Sequence, residues 1–323
     1  MVAKFFLSLF SFLVFQSLVF AQLKLEIRLS PKETIVQCEP NRLYIAIENM
    51  SKDNLKVEGV RNLIGSSLLT LYVNGAASIY FPLQEAILGF GSDPRLGPGE
   101  RVDTSMGLSY PVFNTPGKYQ IQLIADFSRS PGGFFSGRIE SNIVLLTVQT
   151  PTGEDFLAWQ DAYLQIIHAE GLAGSHDERS LCSRLFDSMV LKEHPKSIYM
   201  AYALWRQGLS GSGSWKEIGP EREFGYNQSQ QEFLISDPGA LESWQKSIRD
   251  VIEPWEELNQ NFTDFVYRDQ LLFELSRAYI RIGQSQKAIA LLKELLQRHP
   301  RSEHAGKAEE YKQFLHAKNV WKE

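Results

Sequence analysis

Cysteine is nearly absent: Cys38 and Cys182 are the only two in 323 residues. This excludes a disulfide-dense miniature scaffold and any Cys-x-x-Cys metal or redox motif. An excess of basic charge is also missing, since the formal net charge is -5. The chain therefore lacks the electrostatic footprint of a nucleic-acid binder. No two histidines stand four residues apart, so a helical zinc pair is not expected. G-x-S-x-G, Walker A and G-x-G-x-x-G patterns are absent too, which leaves the common hydrolase, nucleotide and dinucleotide chemistries without a motif. No catalytic residue, metal ligand or cofactor is assigned. Long apolar runs are lacking with one exception, FFLSLFSFLVFQSLVF at residues 5–20.

That run follows the positive Lys4, and Val19 and Ala21 put small residues where a signal peptidase reads. The pattern matches a secretory signal peptide over residues 1–21. An uncleaved anchor is the alternative, but Ser8, Ser11, Gln16 and Ser17 dilute a run that would need about 20 apolar residues to span. The mature chain is expected to be soluble and exported, periplasmic or extracellular, with no stable membrane insertion after cleavage. In an oxidising compartment Cys38 and Cys182 could pair. Because they fall in different halves of the chain, two separate buried thiols are the preferred reading.

The halves differ in texture. Over residues 22–150, LKLEIRLS (23–30), RLYIAIEN (42–49), GKYQIQLIADF (117–127) and SNIVLLTVQT (141–150) have the period-2 alternation or β-rich composition of strands. SLLTLYVNG (67–75) ends in Asn-Gly, a hairpin signal. Turns such as LGPGE and TPGK separate these runs and suggest an antiparallel sandwich. Over residues 151–323 the period becomes helical. PTGEDFLAWQDAYLQ opens with acids in its first turn, and SLCSRLFDSMVLKEH reads as one helix. Pro254 is expected to end or kink its helix. A Gly- and Ser-rich stretch at about 208–236 reads as an irregular insertion, with Trp215 and Phe224 tacked against the helices.

The segments LGPGE, TPGKYQIQL and SNIVLLTV resemble the last strands of immunoglobulin-like or fibronectin III-like modules of exported bacterial proteins, over roughly residues 23–149. Tyr119 falls where such folds place a corner tyrosine. A second resemblance starts from two copies of His-Pro-cation-Ser, at His194-Pro195-Lys196-Ser197 and His299-Pro300-Arg301-Ser302. Setting Pro300 as the last residue type of a 34-residue tetratricopeptide (TPR) frame begins the frame at Asp269. Leu275, Tyr279, Gly283 and Ala288 then match, while Leu272, Ser276, Leu292 and Leu295 depart from the pattern. The helical half thus resembles exported bacterial TPR-like proteins. The expected architecture is all-β plus all-α: an Ig-like antiparallel sandwich followed by TPR-like antiparallel helical hairpins.

In this frame Pro195 and Pro300 stop one helix, while Ser197 and Ser302 cap the next. His194 and His299 complement the helix dipole. A Cys182–His176 nucleophile pair is conceivable, but Cys182 lies on the apolar side of its helix and reads as structural. Two features could bind partners. Phe134 and Phe135 sit between glycines at a hairpin tip, where they face either a partner or the helical half. The resemblance implies a groove lined by Gln270, Phe273, Arg277 and Ile280, with Arg277 able to pair a peptide carboxylate. The function expected is a non-catalytic protein-interaction scaffold for other exported or envelope proteins or peptides. The alternative is an exported hydrolase or carbohydrate-binding protein.

Overall fold

The computed structural model describes residues 23–30, 32–57, 69–77, 95–108, 113, 115–170, 178–212, 219–221, 223–224 and 238–321. The signal-peptide segment, His176 and Trp215 lie outside these residues. The chain divides into two compact units between Gln149 and Thr150. No described helix is long and apolar enough to cross a membrane.

The first unit is built from strands β1 (Leu23–Ser30), β2 (Thr34–Val36), β3 (Asn41–Asn49), β4 (Leu55–Lys56), β5 (Leu69–Val73), β6 (Ala76–Ala77), β7 (Arg95–Leu96), β8 (Arg101–Leu108), β9 (Gly117–Asp126), β10 (Arg138–Glu140) and β11 (Val144–Gln149). One sheet runs β1-β3-β8, and the other runs β2-β11-β9-β5-β6 with β10 on β9. All pairings in these sheets are antiparallel except β2 with β11. The register sets Leu25 opposite Ile47 and Ile27 opposite Ile45. With period 2, these side chains meet Ile121, Leu123, Leu146 and Val148 of the other sheet in one apolar core. Asn74 and Gly75, both at positive φ, make the tight turn that Asn-Gly predicts between β5 and β6. The Tyr119 hydroxyl donates to the Thr115 carbonyl at 2.7 Å, in the manner of a corner tyrosine. On the side of β1 away from β3, the Asn142 amide accepts from the Ile27 N–H (2.8 Å) and donates to the Ile27 carbonyl (2.9 Å).

The second unit is helical: α1 (Gly153–Glu170), α2 (Glu178–Leu185), α3 (Ser188–Leu191), α4 (Ile198–Ser212), α5 (Pro238–Asn261), α6 (Arg268–Arg281), α7 (Ser285–Arg298) and α8 (Glu303–Ala317). Three expectations change here. The single helix expected over SLCSRLFDSMVLKEH is two helices, because the Asp187 side chain caps the Met189 N–H and starts a new one. Pro254 does not end its helix: α5 continues through it to Asn261, and Val251, Ile252, Trp255 and Leu258 bury the face on both sides. Burial of that face offsets the lost backbone bond.

The start of the expected insertion is also helix. A side chain at Gly208 would drive its Cβ into the Trp255 indole, and one at Gly211 would come within 2.6 Å of Val251. These glycines are close-packing positions between α4 and α5. Trp255 is fully buried and donates from its indole N–H to the Trp205 carbonyl at 3.3 Å.

Between α6 and α7, Gly283 adopts φ +75, while the Gln284 N–H bonds back to the Tyr279 carbonyl at 2.9 Å. This is the left-handed glycine stop expected at that position. Ala288, Leu292 and Leu295 of α7 are buried, as are Leu272, Leu275 and Tyr279 of α6.

Candidate interaction site

Serine punctuation recurs in both His-Pro segments. Ser302 caps α8, accepting from the His304 N–H at 3.1 Å, and its hydroxyl donates to Asp269 in the first turn of α6 at 2.6 Å. Ser197 does the same for α4: it accepts from the Tyr199 N–H (3.3 Å) and donates to Asp155 in the first turn of α1 (3.0 Å). Each serine therefore joins the start of its own helix to the start of an earlier one. The two histidines diverge. His299 serves as the C-cap of α7, and burial pushes its imidazole below the usual range.

His194 was expected to complement a helix dipole, but its ring is instead held by two acids of α1. Nδ1 lies 3.1 Å from Glu154 and Nε2 lies 2.7 Å from Asp161. A neutral imidazole has one N–H, so carboxylates on both nitrogens select the imidazolium. Burial alone would lower this pKa, but the Asp161 and Glu154 carboxylates outweigh burial and raise it.

The expected groove positions come together on α6, where Phe273, Arg277 and Ile280 are buried and Gln270 is partly so. Arg277 does pair a carboxylate, but one from its own chain. The fully buried Glu223 accepts at Oε1 from Arg277 Nε (2.8 Å), Arg277 Nη2 (2.5 Å) and Arg281 Nη2 (3.1 Å). At Oε2 it accepts from the Tyr311 hydroxyl of α8 (2.7 Å). Arg277 also donates to Glu274 at 2.6 Å. Two guanidinium groups thus face two carboxylates, and the cluster is neutral. Burial lowers the Arg277 pKa, but Glu274 and Glu223 more than reverse that and lock the charge on. Burial and Glu223 both raise the Tyr311 pKa, so its hydroxyl stays a donor. Phe273 sits edge-on to Tyr311 and stacks on His304. Next to Glu223, Phe224 packs edge-to-face on Phe314 of α8, as a residue tacked onto the helices.

Of the two hairpin-tip aromatics, Phe135 departs from both sequence alternatives. Phe135 is buried in the core of its own sandwich, edge-to-face with Phe127 at 5.7 Å, and its N–H donates to the Lys56 carbonyl. Phe134 is half-buried. The reading of two separate thiols is also corrected: Cys38 and Cys182 are both disulfide-bonded. A Cys182 thiolate nucleophile is thereby removed from consideration. Among the described residues no group of three or more His, Cys, Asp or Glu side chains is placed to hold a metal ion.

Sequence reading missed Glu223, Arg281, Tyr311 and the acids around His194. One signal was present. Arg277 and Arg281 lie four apart on one face of α6, and two cations buried together require a buried acid. Nothing in the sequence points to Glu223 as that acid.

Conversely, α1 presents apolar surface that the sequence reading treated as ordinary helix periodicity. Phe156, Leu157, Leu164 and Ile167 share one side and are 41%, 48%, 43% and 39% exposed.

No protein-family model matches the chain, and no curated protein matches it. Solved structures similar to it include the CARDB domain of the PF1109 protein from Pyrococcus furiosus, in complex with di-metal ions. That domain is 14% identical, with 41% of this chain and 96% of that one covered and a TM-score of 0.27. Spo0M, a sporulation control protein from Bacillus subtilis, is 12% identical, with 45% of this chain and 56% of that one covered and a TM-score of 0.25. Alpha-2-macroglobulin from E. coli is 13% identical over 84% of this chain but only 22% of its own length, with a TM-score of 0.23. Likenesses at this level assign no activity or partner.

Proposed function

We propose that the chain is an exported, non-catalytic protein-interaction scaffold in which an Ig-like sandwich is followed by a TPR-like helical array. The observation that carries this reading is the row of large apolar side chains left in water on α1. Burying four such side chains is worth several kcal/mol, and soluble surfaces rarely leave them contiguous without a partner. The Gly283 stop, the buried Ala288 and Tyr279, and the repeated Asp–Ser joints support the TPR-like part. The two sheets around one core and the Tyr119 corner support the Ig-like part. Disulfide-bonded cysteines and the apolar leader-like run support export.

The partner is expected to be another exported or envelope protein. A photo-crosslinking residue at Gln160, exposed on the same side of α1, tests this in envelope preparations. A discrete protein adduct that disappears with Leu157→Glu plus Leu164→Glu is expected. An absent adduct, or one indifferent to those changes, would refute the scaffold reading at this surface.

A further inference from the structure

The α6–α8 pocket is built around one carboxylate. Arg277 approaches it with a two-nitrogen fork, Arg281 adds a third N–H donor, and Tyr311 takes the other oxygen. Three N–H donors converge on Oε1 and one hydroxyl on Oε2, so both oxygens of a single buried carboxylate are satisfied. Beside it, Phe314 receives the ring of the next residue, Phe224. The receiving side chains all belong to long helices with buried faces. The group they receive comes from a short helical turn, in which the Glu223 N–H bonds to the Gly219 carbonyl at 3.1 Å, in a stretch whose sequence is punctuated by Gly213, Gly219, Pro220 and Gly225. Buried ion pairs contribute little net stability compared with apolar packing of the same volume, so fold stability alone gives weak reason for this arrangement.

We propose that α6 and α8 form a recognition site for peptides carrying an acidic residue followed by an aromatic one, and that Glu223-Phe224 is a ligand supplied by the chain itself. The site is then self-occupied, and an incoming acidic–aromatic peptide binds by exchange. Because the two sets of contacts are alike, exchange costs little in contact energy. The tethered copy has the advantage of an effective concentration on the order of millimolar. A competing partner peptide must therefore supply contacts beyond the acid and the ring. The inference is independent of the α1 surface, and its test reads the α6–α8 site directly.

The test compares the full mature chain with its Glu223→Ala variant. The probe is a labelled hexapeptide with the sequence of residues 219–224, GPEREF, followed by fluorescence anisotropy. GPERQF and GPEREA serve as controls. The variant is expected to bind GPEREF at least tenfold more tightly than the wild type, and each control peptide at least tenfold more weakly than GPEREF. Sodium acetate should raise the melting temperature of the variant, but not that of the wild type, relative to chloride at equal ionic strength. A folded variant that responds to neither peptide nor acetate overturns the proposal. If the variant folds only with acetate, carboxylate recognition is supported. If it does not fold at all, amide hydrogen exchange decides in the wild type. Faster exchange across residues 219–224 at millimolar GPEREF supports displacement, and unchanged exchange overturns it.

Discussion

At the scale of single residues, Gly208 and His194 show what sequence reading sees and misses. Gly208 reads as a flexible position, yet its missing Cβ is the space that the Trp255 indole fills. Gly208→Ala should destabilise the helical unit by about 1–3 kcal/mol, the usual cost of overpacking, with an additional small gain in helix propensity insufficient to offset it. Chemical denaturation of the variant checks this, and an unchanged midpoint would contradict the close approach. His194 is legible as a histidine before a proline, but its two carboxylate partners come from a helix more than thirty residues earlier. No local pattern encodes such a pairing. Its folded pKa is raised above the ordinary value. The stability it contributes is therefore fully present below the unfolded pKa, near 6.5, and is lost as pH rises through the folded value. Because the lowered His299 pKa acts in the opposite direction below about 6.5, the decline is read from pH 5.5 to 9 as the difference between the wild type and His194→Gln, which should be less pH-sensitive above that value. A variant with the same pH slope as the wild type would sink the assignment.

At the scale of elements, strands and helix stops were the readable part. Alternation in 23–30 and 117–127 fixes which side chains face the core, because a one-residue slip would turn each set outward. Ser197 and Ser302 were readable as caps, but not their second bonds to Asp155 and Asp269. Those acids look like ordinary first-turn residues until the fold brings the helix starts together. Ser302→Ala removes both the cap and a partner of the buried Asp269, so a loss of about 1–2 kcal/mol is expected. Ser302→Asp keeps a cap acceptor but sets a second carboxylate against Asp269, and it should be no better than alanine. If Ser302→Asp restores full wild-type stability, the Asp269 bond is unimportant. The continuation through Pro254 was hidden because tertiary burial overrides local propensity, whereas the break at Asp187 is a local Asp cap set inside an apolar-periodic run.

At the scale of the whole molecule, the change of texture near residue 150 coincides with the division at Gln149 and Thr150. Each side of it has its own buried apolar set. Each unit expressed alone, with its cysteine replaced by serine, should therefore melt cooperatively. A unit that shows no transition would mean that its core is incomplete by itself. That both cysteines are disulfide-bonded could not be read from the sequence, because Cys38 and Cys182 share no local pattern. Unreduced protein denatured in guanidinium should give no thiol signal, and reduced protein should give two thiols per chain. One further consequence follows from Asn142. A β sheet that ends in a bare strand is a template on which another copy can continue the ladder, and among the described residues β1 ends its sheet. At Ile27 the template is already filled, since the Asn142 amide imitates the N–H and C=O of an incoming strand. A single side chain thus acts as a decoy neighbour, ending the sheet where edge-to-edge aggregation in a crowded compartment would otherwise begin.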